Sequence, residues 1–235
     1  MELEPIESQE LRIFCVKNGI DIDRRQCDLL DKYVELLLDW NAKVNLISRN
    51  DAKNVWRNHI FHSLGILSTL SLEPGSRVLD LGTGGGLPGI PISIARPDLV
   101  ITLLDSIRKK TAAVQNIVNA LSLPNVKLIT GRAEEIVQRN KGQWDVVISR
   151  AVASLTQLIE WSKPLLKNSQ QKTIRDSQNR SWETPALIAL KGGNLEDEIR
   201  RAQKKWNPRD IQVFNISFDE AAEEMRDKKI VLVQL

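Results

Sequence analysis

The residues best suited to chemistry lie together at 77–93, RVLDLGTGGGLPGIPIS. An apolar run ends in Asp80, and four of the next six residues are Gly82, Gly84, Gly85 and Gly86. Glycine lets a backbone turn tightly and approach a ligand with no Cβ in between. Nineteen residues beyond Gly86 a second apolar run, VITLLD, closes on Asp105. A carboxylate at that strand end is placed to accept both hydroxyls of a ribose. Strand, bare turn, helix and acidic strand end together predict a cradle for a nucleotide-like cofactor.

Spacing narrows the cofactor. A dinucleotide fingerprint requires a third glycine at position 87, where this chain has Leu87, and no Gly-Lys-Ser/Thr closes a phosphate loop. The most economical reading is a methyltransferase that uses S-adenosylmethionine. Asp80, Gly82, Thr83, Gly84, Gly86, Leu87 and Asp105 are the expected cofactor residues. Asp80 would order the turn or hold a water near the methionine amine; the plainer alternative is a turn or helix-capping carboxylate. For Asp105 the alternative is the amino cap of the following helix. The loop Gly131, Arg132, Ala133, Glu134 is expected along the adenine, with Ala133 and Glu134 closest. Pro88 and Pro91 are tolerated in a first helical turn and set geometry there.

These residues need a scaffold, and the apolar pattern supplies one. Strands are predicted at 77–81, 100–105, 126–130, 144–149, 186–190, 211–216 and 229–234. Helices are predicted at 88–96, 108–121, 132–139, 153–166 and 194–206. Such alternation gives an α/β fold with a seven-stranded, mainly parallel sheet covered on both faces, the class I (Rossmann-like) methyltransferase arrangement. Before it, Leu29, Leu30, Tyr33, Leu36, Leu37 and Trp40 recur at helical spacing, and a second helix is expected over 52–70. Pro74–Gly75 marks a turn. The expected organisation is a helical extension at 1–72 packed on a catalytic domain at 73–235. The polar stretch 167–184 is expected to be a surface loop, and 219–225 a short link with a turn of helix.

Composition sets outer limits. The 235 residues are 42% hydrophobic and 27% charged, ordinary for a globular protein. No apolar run approaches the roughly 18 residues a membrane span needs, and the amino terminus lacks a signal-like apolar core. A cytoplasmic protein with no membrane partner is expected. Cys15 and Cys27 fit no metal motif and are expected to be reduced; no metal site is expected. Net charge is only +3, but Arg108, Lys109 and Lys110, then Arg200, Arg201, Lys204 and Lys205, then Arg226, Lys228 and Lys229 form basic clusters. They suit phosphate contacts with RNA or, more plainly, solvated helix faces. Most of the six tryptophans should pack internally, with Trp182 in the polar stretch the best candidate for base stacking.

Several motifs together resemble the ribosomal small-subunit RNA guanine-N7 methyltransferases, also called glucose-inhibited division protein B. They are WNAKVNLIS (40–48), the His59 segment, LDLGTGGGLPGIPI (79–92), LLDSIRKK (103–110), GRAEE (131–135), WDVVISRAVASL (144–155) and ALKGG (189–193). The resemblance runs from about Asp31 to the final strand and omits 167–184. It implies S-adenosylmethionine as cofactor and a decoding-region guanine of small-subunit ribosomal RNA as substrate, met in an assembled or nearly assembled 30S subunit by a monomer. It also implies that Arg150 and Lys191 are catalytic, near the target base or its phosphates, with Arg150 bordering the cofactor as well. Asn45, His59, Lys109 and Lys110 would contact substrate, or, for Asn45 and His59, cap and pack helices. The family's Arg-His and Asp-Ser pairs are Asn58-His59 and His62-Ser63 here, and Lys228 and Lys229 replace its usual arginine. Lysine keeps phosphate contact without bidentate recognition.

The implied reaction needs little acid–base chemistry. Guanine N7 carries a lone pair at neutral pH, so alignment and exclusion of water matter most. Arg150 would donate to the O6 edge or a phosphate, not to N7. The alternatives are a nonenzymatic RNA-binding assembly protein, a small-molecule methyltransferase and, more distantly, a nicotinamide oxidoreductase.

Overall fold

The computed structural model describes residues 8–150, 152–168, 172–216 and 227–235. The chain opens with α1 (Ser8–Lys17), α2 (Arg24–Asn41) and the short α3 (Arg49–Ala52). A π-helical turn at Trp56–Phe61 leads into α4 (His62–Thr69) and β1 (Leu70–Leu72). Alternation follows: β2 (Arg77–Leu81), α5 (Gly89–Ala95), β3 (Val100–Asp105), α6 (Arg108–Leu121), β4 (Val126–Thr130), α7 (Ala133–Asn140), β5 (Val146–Arg150) and α8 (Leu155–Ser162). After them come β6 (Thr173–Asp176), β7 (Ser181–Glu183), β8 (Ala186–Gly192), α9 (Glu196–Trp206), β9 (Asp210–Asn215) and β10 (Lys228–Gln234).

Seven strands form one sheet in the order β4-β3-β2-β5-β8-β10-β9. The first five are parallel, and β10 runs antiparallel to both its neighbours. The chain leaves β2 for β3 and β4 on one side, then returns to place β5 on the other. That reversal opens a crevice at the carboxyl end of β2, where open α/β sheets bind ligands. Central strands such as β3 are buried on both faces, which is why they read as continuous apolar runs. One face packs with the amino-terminal helices into a single core, and the other packs beneath α7, α8 and α9.

The helix α2 starts at a capping box formed by Asp23 and Gln26. Gln26 also donates to the Ile94 and Ala95 carbonyls at 2.8 and 3.0 Å, finishing the end of α5. Its stripe of Leu30, Tyr33 and Leu37 is fully buried, as the helical spacing predicts.

Two expectations need correction. The helix expected over 52–70 is interrupted: a π turn precedes α4, and Leu70 already belongs to β1. The stretch 167–184 is not simply a loop, because β6 and β7 form a hairpin within it and β6 pairs with β1. Each of these strands buries one side chain, Ile174 and Trp182, too sparse a pattern to read as strand. Trp182 is therefore no exposed stacking platform: it is 8% exposed, meets Phe214 edge-on at 5.7 Å and donates to Asp210 at 2.9 Å. The link at 219–225 and Arg226 lie outside the described residues.

Candidate cofactor and substrate cleft

The glycine turn is held at both ends by carboxylates. The amides of Gly82 and Thr83 donate to the Leu104 carbonyl of β3 at 2.9 Å. Gly82, Gly84 and Gly86 take φ of +76°, +56° and +97°, a region that penalises any side chain. Asp80 Oδ2 accepts from Thr83 Oγ1 at 2.6 Å and from the Gly89 amide at 2.9 Å, joining β2, the turn and α5. Burial pushes the Asp80 carboxyl up to about 7 even though those two bonds favour its ionised form. Asp105 accepts the Gly84 amide on Oδ2 and the Ile107 amide on Oδ1, each at 2.9 Å. Ile107 is the cap residue of α6, so Asp105 meets the helix start through the Ile107 amide without being the cap itself.

Above this turn lies a cleft of about 540 Å³, a size suited to a small organic ligand. Gly82, Thr83, Gly84, Leu87 and Asp105 line it, as do Ala133, Glu134, Lys110 and Arg150. Most expected cofactor residues are thus brought together. Asp80 and Gly86 do not line it: Asp80 is fully buried behind the turn, and a Cβ on Gly86 would overlap Ile90. Among the expected substrate residues, Lys109 is exposed beside the cleft without lining it. Asn45 does not line the cleft; it borders a separate cavity of about 510 Å³ with Asn41 and Lys43.

Lys191 is also away from the cleft. Its ammonium is committed to the Ala153 carbonyl at 2.6 Å and to Glu198 at 2.7 Å. The same Glu198 oxygen receives the Leu155 amide. This geometry ties α9 and β8 to the start of α8.

Arg150 ends β5 and reaches the cleft beside the glycine turn. Burial lowers its guanidinium from the usual arginine value, and the nearby Tyr33 and Asp80 act the other way. Behind it lie His59 and His62, 6% and 5% exposed. Burial first, and Arg150 second, hold His59 down to about 4 and His62 to about 3, so both rings are neutral near pH 7.

Several contributors escaped the sequence reading, three of them instructive. Leu46 and Trp161 line the cleft, and the buried Tyr33 hydroxyl donates to the Gly85 carbonyl at 3.0 Å. Tyr33 was visible only as one member of an apolar stripe. Leu46 sat within the WNAKVNLIS motif without being singled out, and Trp161 carried no signal separable from an ordinary packing residue.

The sheet order, the reversal at β2 and the carboxylate-anchored glycine turn define a class I, S-adenosylmethionine-dependent methyltransferase. The fold is shared with the CurJ carbon methyltransferase, at TM-score 0.53 and 12% identity over 97% of this chain and 70% of that one. The family described as GidB, rRNA small subunit methyltransferase G, matches residues 26–226. Relatives named ribosomal RNA small subunit methyltransferase G include one from Bacteroides fragilis, 39% identical over 92% of this chain and 96% of its own. Another, from Chlorobium luteolum, is 42% identical over 84% of this chain and 75% of its own. The chain belongs to this GidB family of enzymes that methylate small-subunit ribosomal RNA.

Proposed function

We propose that this chain transfers the methyl group of S-adenosylmethionine to N7 of a decoding-region guanine in small-subunit ribosomal RNA. The substrate is the assembled or nearly assembled 30S subunit, met by a monomer in the cytoplasm. No helix among the described residues is long and apolar enough to cross a membrane, which accords with that setting.

The cleft fits the cofactor. Its bare glycines leave room for close backbone approach, and Asp105 keeps lone pairs beyond the two amides it already holds. Asp105 would take the ribose, Ala133 and Glu134 the adenine, and Gly82, Thr83, Gly84 and Leu87 the methionine part. When bound, the cofactor supplies an electrophilic methyl on a sulfonium sulfur. Asp80 and Gly86 support the turn from behind.

One observation carries the choice of N7. Among the described residues, the titratable groups lining the cleft are Asp105, Lys110, Arg132, Glu134 and Arg150. Asp105 is engaged by backbone amides, Glu134 stands at the expected adenine end, and three are cations. None of these five is posed to remove a proton from a substrate, and the N7 lone pair requires no such step. Arg150 would fix the guanine through O6 or a neighbouring phosphate, leaving N7 free to attack. Lys109, Lys110 and Asn45 would meet the RNA around it.

Incubation with labelled cofactor and subunits lacking the modification, followed by mapping of the label, tests this reading directly. Label at guanine N7 is expected; label on another atom, or none, overturns it. Arg150→Ala should abolish most transfer while cofactor affinity changes only about threefold, since Arg150 borders but does not grip the cofactor. Full transfer by that variant removes the role given to Arg150.

A further inference from the structure

The Arg150 guanidinium is tethered from behind by the π-helical turn. Nη1 donates to the Asn58 carbonyl at 3.2 Å and also faces Nδ1 of His59. A guanidinium offers only donors, so Nδ1 must accept and the single proton of the neutral ring sits on Nε2. Nε2 is buried with no hydrogen-bond partner among the described residues, and Asp51 Oδ2 lies 4.0 Å away. That separation is too long for a hydrogen bond, but the carboxylate's field still favours a proton on the ring nitrogen facing it. Asp51 is itself fixed, accepting from Ser48 Oγ at 2.6 Å and from Asn58 Nδ2 at 3.2 Å. The His59 carbonyl receives Ser63 Oγ at 2.6 Å. π-helical turns are rare and concentrate at functional sites; this one brings a carbonyl and a ring nitrogen from adjacent residues to the same guanidinium.

We propose that His59 is a positioning residue for Arg150, holding the guanidinium through a neutral, Nε2-protonated imidazole so that its remaining donors point at the target nucleotide. The inference rests on the reading of Arg150 as the group that meets that nucleotide. It reassigns His59 from touching RNA to acting through another side chain. The choice of imidazole has a physical consequence. A carboxylate at this position would orient Arg150 but cancel much of its charge. A neutral acceptor orients it and leaves the positive charge for an anionic substrate. The groups facing His59 reinforce that state: Arg150 from β5 and Lys228 from β10 disfavour a second ring proton, His62 stands on α4, and Asp51 on α3 alone favours one.

The chain has only two histidines, so tag-free protein labelled with 15N-histidine shows two ring systems, and His59→Leu identifies the first. The expected spectrum at pH 7 has His59 protonated on Nε2 alone, with its Nδ1 resonance moved by Arg150→Ala. A proton on Nδ1, or no response to Arg150→Ala, overturns the inference. The kinetic arm uses single-turnover methylation of unmodified 30S subunits at saturating cofactor. His59→Leu should slow transfer about 10–30-fold, the range expected when a reacting geometry is loosened, with cofactor Kd changed less than about twofold. In the Arg150→Ala background the same substitution should cost less than about twofold, because residues acting through one group are not additive. Additive losses, with Arg150→Ala still impaired, overturn the positioning role and leave the reading of Arg150 standing. Unimpaired transfer by Arg150→Ala overturns both. If His59→Leu does not fold, His59→Asn identifies the resonance and the response to Arg150→Ala decides.

Discussion

The Gly84 amide donates to Asp105 Oδ2 at 2.9 Å, linking the turn after β2 to the end of β3. The carboxylate proposed to hold the ribose therefore also sets the shape of the glycine turn. Removing it strips two functions at once. Asp105→Ala should weaken S-adenosylmethionine binding about 10–150-fold, the equivalent of one or two hydrogen bonds to a charged group. Asp105→Asn retains one acceptor oxygen and should lose less. Calorimetric titration of both variants measures the difference.

Gly89 touches the turn's other carboxylate anchor, Asp80. A Cβ there would lie 2.7 Å from Asp80 Oδ2 and collide with the Leu103 side chain. Both neighbours are fully buried. Gly89→Ala should therefore destabilise the fold by about 1–3 kcal/mol, as overpacking does, and weaken cofactor binding by disturbing the Asp80 bond. Thermal melting with and without cofactor reads both effects.

Buried ionisable groups give stability a defined pH dependence. His59 and His62 titrate at about 4 and about 3 when folded, against an ordinary 6.5. The folded protein binds fewer protons across that interval, so stability should rise as pH climbs from about 3 to about 6.5. Asp80, raised from 3.8 to about 7, has the opposite sign. There the folded protein binds more protons, and stability falls as pH rises between those values. Asp80→Asn removes the falling component. Its melting temperature should climb more steeply than that of the parent between pH 4 and 7 in a buffer series.

Both cysteines should be silent in the native protein. Burial, then each other's proximity, pushes the Cys15 thiol up to about 12; burial, then Asp31 and Asp28, pushes Cys27 up to about 11. Thiolate is the reactive form. A disulfide reagent near pH 8 should titrate no thiol before unfolding and two afterwards.

Trp182 separates packing from recognition. Its ring is buried against Phe214, and Arg180 lies 5.6 Å from each ring. Trp182→Ala should cost about 3 kcal/mol or more of stability. Binding to the ribosomal subunit, measured on folded protein well below its melting temperature, should stay within about twofold. A selective loss of RNA binding would restore the stacking role.

Much of the cofactor side was legible because its signals are local. β2, β3, β4 and α6 begin and end where apolar runs and their flanking residues predict. Gly82, Gly84 and Asp105 stand out because strand, turn and acidic strand end occur in fixed sequence order. The hairpin at β6 and β7 was hidden for the converse reason. Its stability comes from pairing with β1, roughly a hundred residues earlier, and from Trp182 meeting Phe214, while its own residues are polar.

The amino-acid sequence by itself determined the sheet, the glycine turn and the family, since each is written in short-range periodicity and contiguous motifs. Only the tertiary structure decided that Lys191 is bound to Glu198, that Tyr33 supports the turn, and that His59 and Asp51 stand behind Arg150. Tyr33 meets the turn 52 residues on and His59 meets Arg150 91 residues on, and burial together with the Arg150 charge keeps the His59 ring neutral. No local pattern encodes which distant donor will find which acceptor once water has been excluded.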